Sequence, residues 1–245
     1  MESGQLVAEL NPARRLYVIS DIHSNLPALA AVLDAVEVSA RVLCAGDIVG
    51  YYIDPNPVIE LLRSRTVECI LGNHDQYALG LLPYPSSRED KYRVQWTRSA
   101  LTFENTAWLK GLPNSRTYCV STGHLGRPVP LFQRVLLTHG SFSSSEEYIY
   151  PDTPFDGSVL GEHTIGIFGH THHPMVREYG TSRLLNPGSV GQPRDRKPSA
   201  SYARIDLAAG SIELLRKDYD VAGYQERLRG AGITSSMVDI LSRVA

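Results

Sequence analysis

Cysteine is scarce. The chain has 245 residues and three cysteines, Cys44, Cys69 and Cys119. So few, in odd number, exclude a disulfide framework. Cys44 and Cys69 lie in apolar runs, where cysteine behaves as a small hydrophobe. A reducing, cytoplasmic setting is expected. Long apolar runs are absent as well, and none approaches the roughly 20 residues a membrane helix needs. Residues 1–15 are mixed polar and lack the apolar core of a signal peptide. No block of lysine and arginine occurs, and the formal net charge is -2. A sequence-independent grip on nucleic acid is therefore disfavoured. No internal repeat, low-complexity tract or strong linker divides the chain. One domain over residues 1–245 is expected, with a loose leader at 1–14 and helices at 220–245.

What is present is a series of short apolar strands, each delivering polar residues. Leu16 to Ser20 is a strand that ends in Asp21-Ile22-His23. Asn25 can cap the next helix, with Pro27 in its first turn and Leu29, Val32, Leu33 and Val36 on one buried face. Arg41 to Ala45 ends in Gly46-Asp47. Val67 to Leu71 ends in Gly72-Asn73-His74-Asp75, where Asn73 or Asp75 could equally cap a helix. The strand-helix order predicts parallel pairing with right-handed crossovers. Residues 76–113 read as mostly helical, broken at Pro83 to Ser87. Ser87 and Asp90 suggest a capping pair there. Tyr92, Trp96, Ala100 and Phe103 are spaced for one buried face, unless Thr102 starts a new helix. From Ser115 the texture turns to β, with strands near 116–121, 134–138, 164–168, 175–179, 183–186, 201–206 and 211–217. Gly123 to Pro130 is a Gly/Pro-rich loop. Helices alternating with strands, then many strands, predict two sheets packed face to face with helices outside.

The strand ends carry the chemistry. Asp21, His23, Asp47, Asn73, His74, His139, His170 and His172 all follow apolar strands. The set offers oxygen and nitrogen donors without a thiolate. That suits borderline first-row metals, Mn, Fe, Co, Ni or Zn, and disfavours structural zinc. So many donors, at least seven, exceed one tetrahedral ion and match two ions sharing a carboxylate. Asp-x-His and His-x-His place both side chains on one side of an extended segment, so each pair can chelate from one face. Any piece alone has a plain alternative, a helix cap or a satisfied core histidine. Five pieces in this order do not.

The order Asp21-x-His23, Gly46-Asp47, Gly72-Asn73-His74-Asp75, His139 and Gly169-His170-x-His172 resembles the calcineurin-like metallophosphoesterase superfamily. Asn186 to Gly191 resembles its small bacterial and archaeal branch. The resemblance implies an α/β fold, a four-layer α-β-β-α sandwich of two mixed sheets with flanking helices. It implies a binuclear centre of divalent or trivalent first-row ions. Asp21, His23 and His172 would hold one ion, Asn73, His139 and His170 the other, and Asp47 would bridge. His74 would be the non-ligand general acid, suited by an imidazole that titrates near neutrality. Two ions about 3.5–4 Å apart can activate a bridging water and clamp phosphoryl oxygens.

The chain also departs from that pattern. Phosphoprotein phosphatases carry Gly-Asp-x-x-Asp-Arg-Gly where this chain has Gly46-Asp47-Ile48-Val49-Gly50-Tyr51. The Asp that orients the histidine and the phosphate-gripping Arg are both missing. Asp54 is a possible substitute for the first. Arg194 is a candidate phosphate contact, with a surface pairing to Asp195 as its alternative. His163 and His173 are expected to be bystanders, and His124 lies in the 123–130 loop. The expected activity is hydrolysis of small phosphoesters, diesters before monoesters. The other readings are a protein Ser/Thr phosphatase and a non-catalytic scaffold of the same fold. The expected partner is a small phosphoester substrate; no motif specifies an oligomer.

Overall fold

The structure is a computed structural model and describes residues 7–12, 15–121 and 131–244. The Gly123 to Pro130 loop and His124 lie outside the described residues. Two mixed sheets pack face to face. The first uses strands β2 (Leu16–Ile19), β3 (Arg41–Cys44) and β4 (Glu68–Cys69), which run parallel, then β10 (Ala200–Asp206), antiparallel to β2 on its other side, and β11 (Ser211–Lys217), antiparallel to β10 at the edge. The second has the order β1 (Val7–Leu10), β5 (Arg116–Val120), β6 (Arg134–Leu137), β7 (Thr164–Ile167), β9 (Ser182–Asn186), β8 (Met175–Tyr179).

Side-chain alternation builds two layers of core from each strand. In β2, Leu16 and Val18 face the second sheet, together with Leu43, Ala45 and Ile70. They meet Tyr118, Val135, Leu137, Ile165, Ile167 and Leu185. Tyr17 and Ile19 face the other way, onto helices α1 (Leu26–Ala35) and α2 (Pro55–Ser64). Strands buried on both faces read as continuous apolar runs rather than alternating ones. The Asn25 side chain accepts from the Ala28 amide and caps α1, as its position predicted.

The two mixed sheets and flanking helices are as expected, and the layer over the second sheet is thin. Phe168, Met175 and Leu184 on its outer face are covered by Ile149 and Leu160. Leu160 belongs to a short 3-10 turn, Gly157–Leu160.

Three local expectations need correction. Residues 7–10 are no part of a loose leader: β1 pairs parallel with β5, Val7 opposite Thr117. Four residues are too few to show a period. Ser87 and Asp90 form no capping pair: a 3-10 turn, Ser86–Arg88, runs directly into α4 (Glu89–Tyr92), with no side-chain cap. Phe103 is 85% exposed. The Thr102 hydroxyl accepts from the Asn105 amide and starts α6 (Phe103–Lys110), which resets the helical phase after α5 (Val94–Ala100). The tail forms α7 (Val221–Gly230) and α8 (Ser235–Asp239), which pack on Tyr51 and Tyr52.

Candidate metal centre

The polar residues converge where both sheets present strand ends on one side. Asp21 and His23 follow β2, Asp47 follows β3, and Asn73 opens helix α3 (Asn73–Leu79) after β4. His139 follows β6, and His170 and His172 follow β7. All seven are buried. The loops after β2 and β3 are tied by backbone bonds from Asp21, Ile22 and His23 amides to Gly46 and Asp47 carbonyls.

Two groups of donors form. Asp21, His23 and His172 make one, and Asp47, His139 and His170 the other, each with its donor atoms within 4.8 Å. Asn73 joins the second, its Oδ1 3.0 Å from His139 Nε2. Asp47 touches both groups: Oδ1 is 3.3 Å from His139 Nε2 and Oδ2 is 3.6 Å from His23 Nε2.

The grouping corrects one expectation. His170 and His172 do not chelate together; they serve different groups. The backbone is not extended there either. Asp21, His23, Asp47, His170 and His172 all have φ between 50° and 66°. A non-glycine residue held left-handed costs on the order of 1–3 kcal/mol. Tertiary bonds hold them there, such as the His170 amide donating to the Asp21 carboxylate at 3.1 Å. Gly72 is needed for a different reason. A Cβ on it would sit 2.1 Å from Asp47 Oδ1.

The protonation pattern calls for cations. The Nδ1 atoms of His23, His139 and His172 lie against the carbonyls of Val49, Ala45 and Gln192 at 3.3, 2.7 and 2.7 Å. Carbonyls only accept, so each Nδ1 carries the proton and Nε2 is left as the donor nitrogen. His23 Nε2 and His172 Nε2 then face one another at 3.1 Å. Burial pushes both imidazoles well below their ordinary range, so neither is an imidazolium. Two buried lone pairs at that distance repel unless a cation lies between them. His170 Nε2 is buried without a partner, and burial pushes this ring down to about 3. His139 is the exception. Burial would lower it, but attraction to Asp47 outweighs that and raises it to about 10. In the metal-free chain this imidazolium is the built-in counterion of Asp47. The donor set therefore fits metal ions at both groups.

His74 contributes no atom to either group. Its amide donates to Asp47 Oδ1 at 2.8 Å. Its ring is walled by Tyr51 and Tyr92, both 4.6 Å away between centroids, and by Tyr77 at 5.5 Å. Asp54 does not orient it; Asp54 Oδ1 accepts from Arg227 at 2.8 Å. Nδ1 of His74 is buried without a partner. Burial pushes the ring down to about 4, against the pull of Asp47. The expectation of an imidazole titrating near neutrality is therefore revised: the ring is neutral at pH 7. Asp75 is neither a ligand nor the N-cap residue. Gly72 is the N-cap, and the Asp75 carboxylate accepts from the amides of Gly72, Ile48 and Val49 at 2.9–3.2 Å.

A cavity of about 300 Å³ opens over the site, lined by Asp47, His74, His170 and His172. Arg194 lines it too and is half-buried. It donates to Tyr51 Oη at 3.3 Å and Gln192 Oε1 at 3.2 Å. Asp195 pairs with Arg216 instead. Tyr51, Tyr92 and Tyr148 also line the cavity. No motif singled these tyrosines out; the density of tyrosine in 51–52, 77–92 and 148–150 was the available signal. His163 and His173 belong to neither donor group.

Comparison with known proteins places this geometry in a family. The calcineurin-like phosphoesterase superfamily domain matches residues 15–210. An uncharacterized protein of Methanocaldococcus jannaschii is 34% identical over 86% of this chain and 90% of its own. A probable metallophosphoesterase of Methanothermobacter thermautotrophicus is 31% identical over 81% of this chain and 90% of its own. The crystal structure of a metallophosphoesterase from Sphaerobacter thermophilus superposes with a TM-score of 0.72, at 30% identity, over 94% of this chain and 99% of that one. No helix among the described residues is long and apolar enough to cross a membrane. The chain belongs to the calcineurin-like phosphoesterase superfamily and is a metal-dependent phosphoesterase.

Proposed function

We propose that the protein hydrolyses small phosphodiesters, with monoester activity dependent on Arg194. Asp21, His23 and His172 would hold one first-row ion. Asn73, His139 and His170 would hold a second, and Asp47 would be shared. The observation that carries this reading is the facing pair of unprotonated nitrogens, His23 Nε2 and His172 Nε2, beside an Asp47 whose oxygens address both groups. Two ions held there would supply positive charge to the phosphoryl oxygens and lower the pKa of a bound water.

The chain's own residues do the rest. His74 presents its ring to the cavity. With no acceptor at Nδ1, its single proton belongs on Nε2, from which the neutral ring can donate a hydrogen bond to the leaving oxygen. The tyrosine wall fixes the ring. Arg194 is held by Tyr51 and Gln192 and brings one fixed positive charge to the phosphate. The cavity is small and walled by tyrosines, which favours a small ester over a protein surface.

A monoester dianion needs more positive charge than a diester monoanion. The test measures metal content and kcat/KM for bis-aryl and mono-aryl phosphates in native protein and in Arg194→Ala. Two metals per chain and a diester preference are expected, with the variant losing more monoester than diester activity. One metal with full activity, or a tenfold monoester preference in the native protein, would overturn the reading.

A further inference from the structure

The cavity holds more positive charge than one phosphate uses. Arg88, Lys91 and Arg243 line it together with Arg194. Arg88 and Lys91 come from the segment around α4, and Arg243 follows α8, so two separate elements place cations on one rim. Among the described residues, Asp47 is the sole carboxylate lining this cavity. No carboxylate pairs with Arg88, Lys91 or Arg243 among the described ion pairs. A larger cavity of about 470 Å³, at the amino ends of β2 and β3, makes the contrast. Its Arg15, Arg41 and Arg65 are each paired, with Glu37, Glu68 and Asp34. Unpaired cations gathered on one concave rim, in a chain of net charge -2, focus a field that draws anions.

The size of the cavity points the same way. At about 300 Å³ it has the size of a pocket for a whole small molecule. A phosphoryl group alone leaves much of that unfilled.

We propose that Arg88, Lys91 and Arg243 form a second anion subsite, so that the preferred substrate carries a further carboxylate or phosphate on its organic part. This rests on the phosphoesterase reading of the same cavity. Arg194 serves the reacting phosphate, and the three rim cations hold the distal group. Arg88 is steered by its bond to Tyr92 Oη at 3.2 Å.

Three unreactive probes share one phosphonate and differ only in the far end: butylphosphonate, 4-phosphonobutanoate and propane-1,3-bisphosphonate. Calorimetry on the metal-loaded protein gives their dissociation constants. The two anionic arms should bind about tenfold tighter than the methyl-ended one. That advantage should shrink as ionic strength rises. Lys91→Glu and Arg243→Glu, on different elements, should each bring the ratio towards one. The stronger of the two anionic arms identifies carboxylate or phosphate. Equal affinity for all three probes in the native protein overturns the subsite, as does a ratio that survives both charge reversals. Turnover of bis(p-nitrophenyl) phosphate is measured on the same sample. Turnover with equal probe affinities removes the subsite alone. A probe ratio without turnover of bis(p-nitrophenyl) phosphate keeps the anion subsite and removes the phosphodiester reading.

Discussion

Asp47 points its two oxygens at different neighbours, and that division makes it the residue on which both donor groups depend. Asp47→Asn keeps the shape and removes the shared charge, so both metals should bind more weakly. His23→Ala removes one nitrogen from one group and should empty mainly that site. Elemental analysis after dialysis separates the two: near zero for the first, near one ion per chain for the second. Equal losses would show that Asp47 is not shared. His74 is a different kind of residue. It sits beside the donors without joining them, so His74→Asn should leave metal content unchanged. A hydrogen bond to a charged group is worth about 1.5–3 kcal/mol, so turnover should fall roughly 10- to 150-fold. The loss should shrink for an activated aryl leaving group, which needs little help from a proton. Because burial holds His74 near 4, its titration should leave no limb in the pH profile between 5 and 9. A limb near 6.5 that disappears in His74→Asn would restore the imidazolium acid.

The elements that carry these residues were legible for a simple reason. Strands buried on both faces read as apolar runs, and each run stopped at a polar cluster. The donors themselves were legible because no ordinary core needs so many histidines at strand ends. The backbone that presents them was not. Five donors adopt left-handed φ, and nothing in Asp-x-His or His-x-His announces a conformation imposed by bonds to other loops. Strand β1 was hidden by its length. The tyrosine wall was hidden because residues 51, 77, 92 and 148 meet only through the fold. Asp75 shows the same limit. The sequence suggests a helix cap, and the carboxylate does accept the Gly72 amide at the head of α3. It also accepts the Ile48 and Val49 amides, and so clamps the loop that carries Asp47. Asp75→Ala would leave three buried amides unpaired. At about 1–3 kcal/mol for each unsatisfied group, the loss should be at least about 3 kcal/mol in urea unfolding of the metal-loaded protein. Metal affinity should fall with it. Unchanged stability would mean water replaces the carboxylate and the clamp is not structural.

At the scale of the whole molecule, the donor groups join the two sheets. Asp21, His23, Asp47 and Asn73 hang from the first sheet, and His139, His170 and His172 from the second. Ions that bind only this folded arrangement must stabilise it by mass action, about 2.7 kcal/mol per site at a hundredfold excess over Kd. For a chain of this length, 1 kcal/mol moves Tm by about 2–4 °C, so each filled site should add roughly 5–11 °C. The pH dependence separates this from a general salt effect. In the metal-free protein the folded state holds the His139 proton up to about 10, because Asp47 outweighs burial. The unfolded chain releases it near 6.5. A raised folded pKa means stability that is complete below 6.5 and lost as pH climbs towards 10. Burial, reinforced by Asp47, also raises Asp21 and Asp75, each to about 7; their contribution has the same sign but is lost between about 4 and 7, so His139 alone carries the fall above 7. Metal-free protein should therefore weaken steadily from pH 7 to 9. If His139 is a metal ligand as proposed, it gives up that proton when an ion binds, and the cations would offset the clustered carboxylates. The slope should flatten, and metal uptake at pH 7.5 should release protons, seen as a dependence of the calorimetric heat on buffer ionisation. A metal-free protein whose stability does not fall between pH 7 and 9 would show that Asp47 has no protonated histidine partner before the metals arrive.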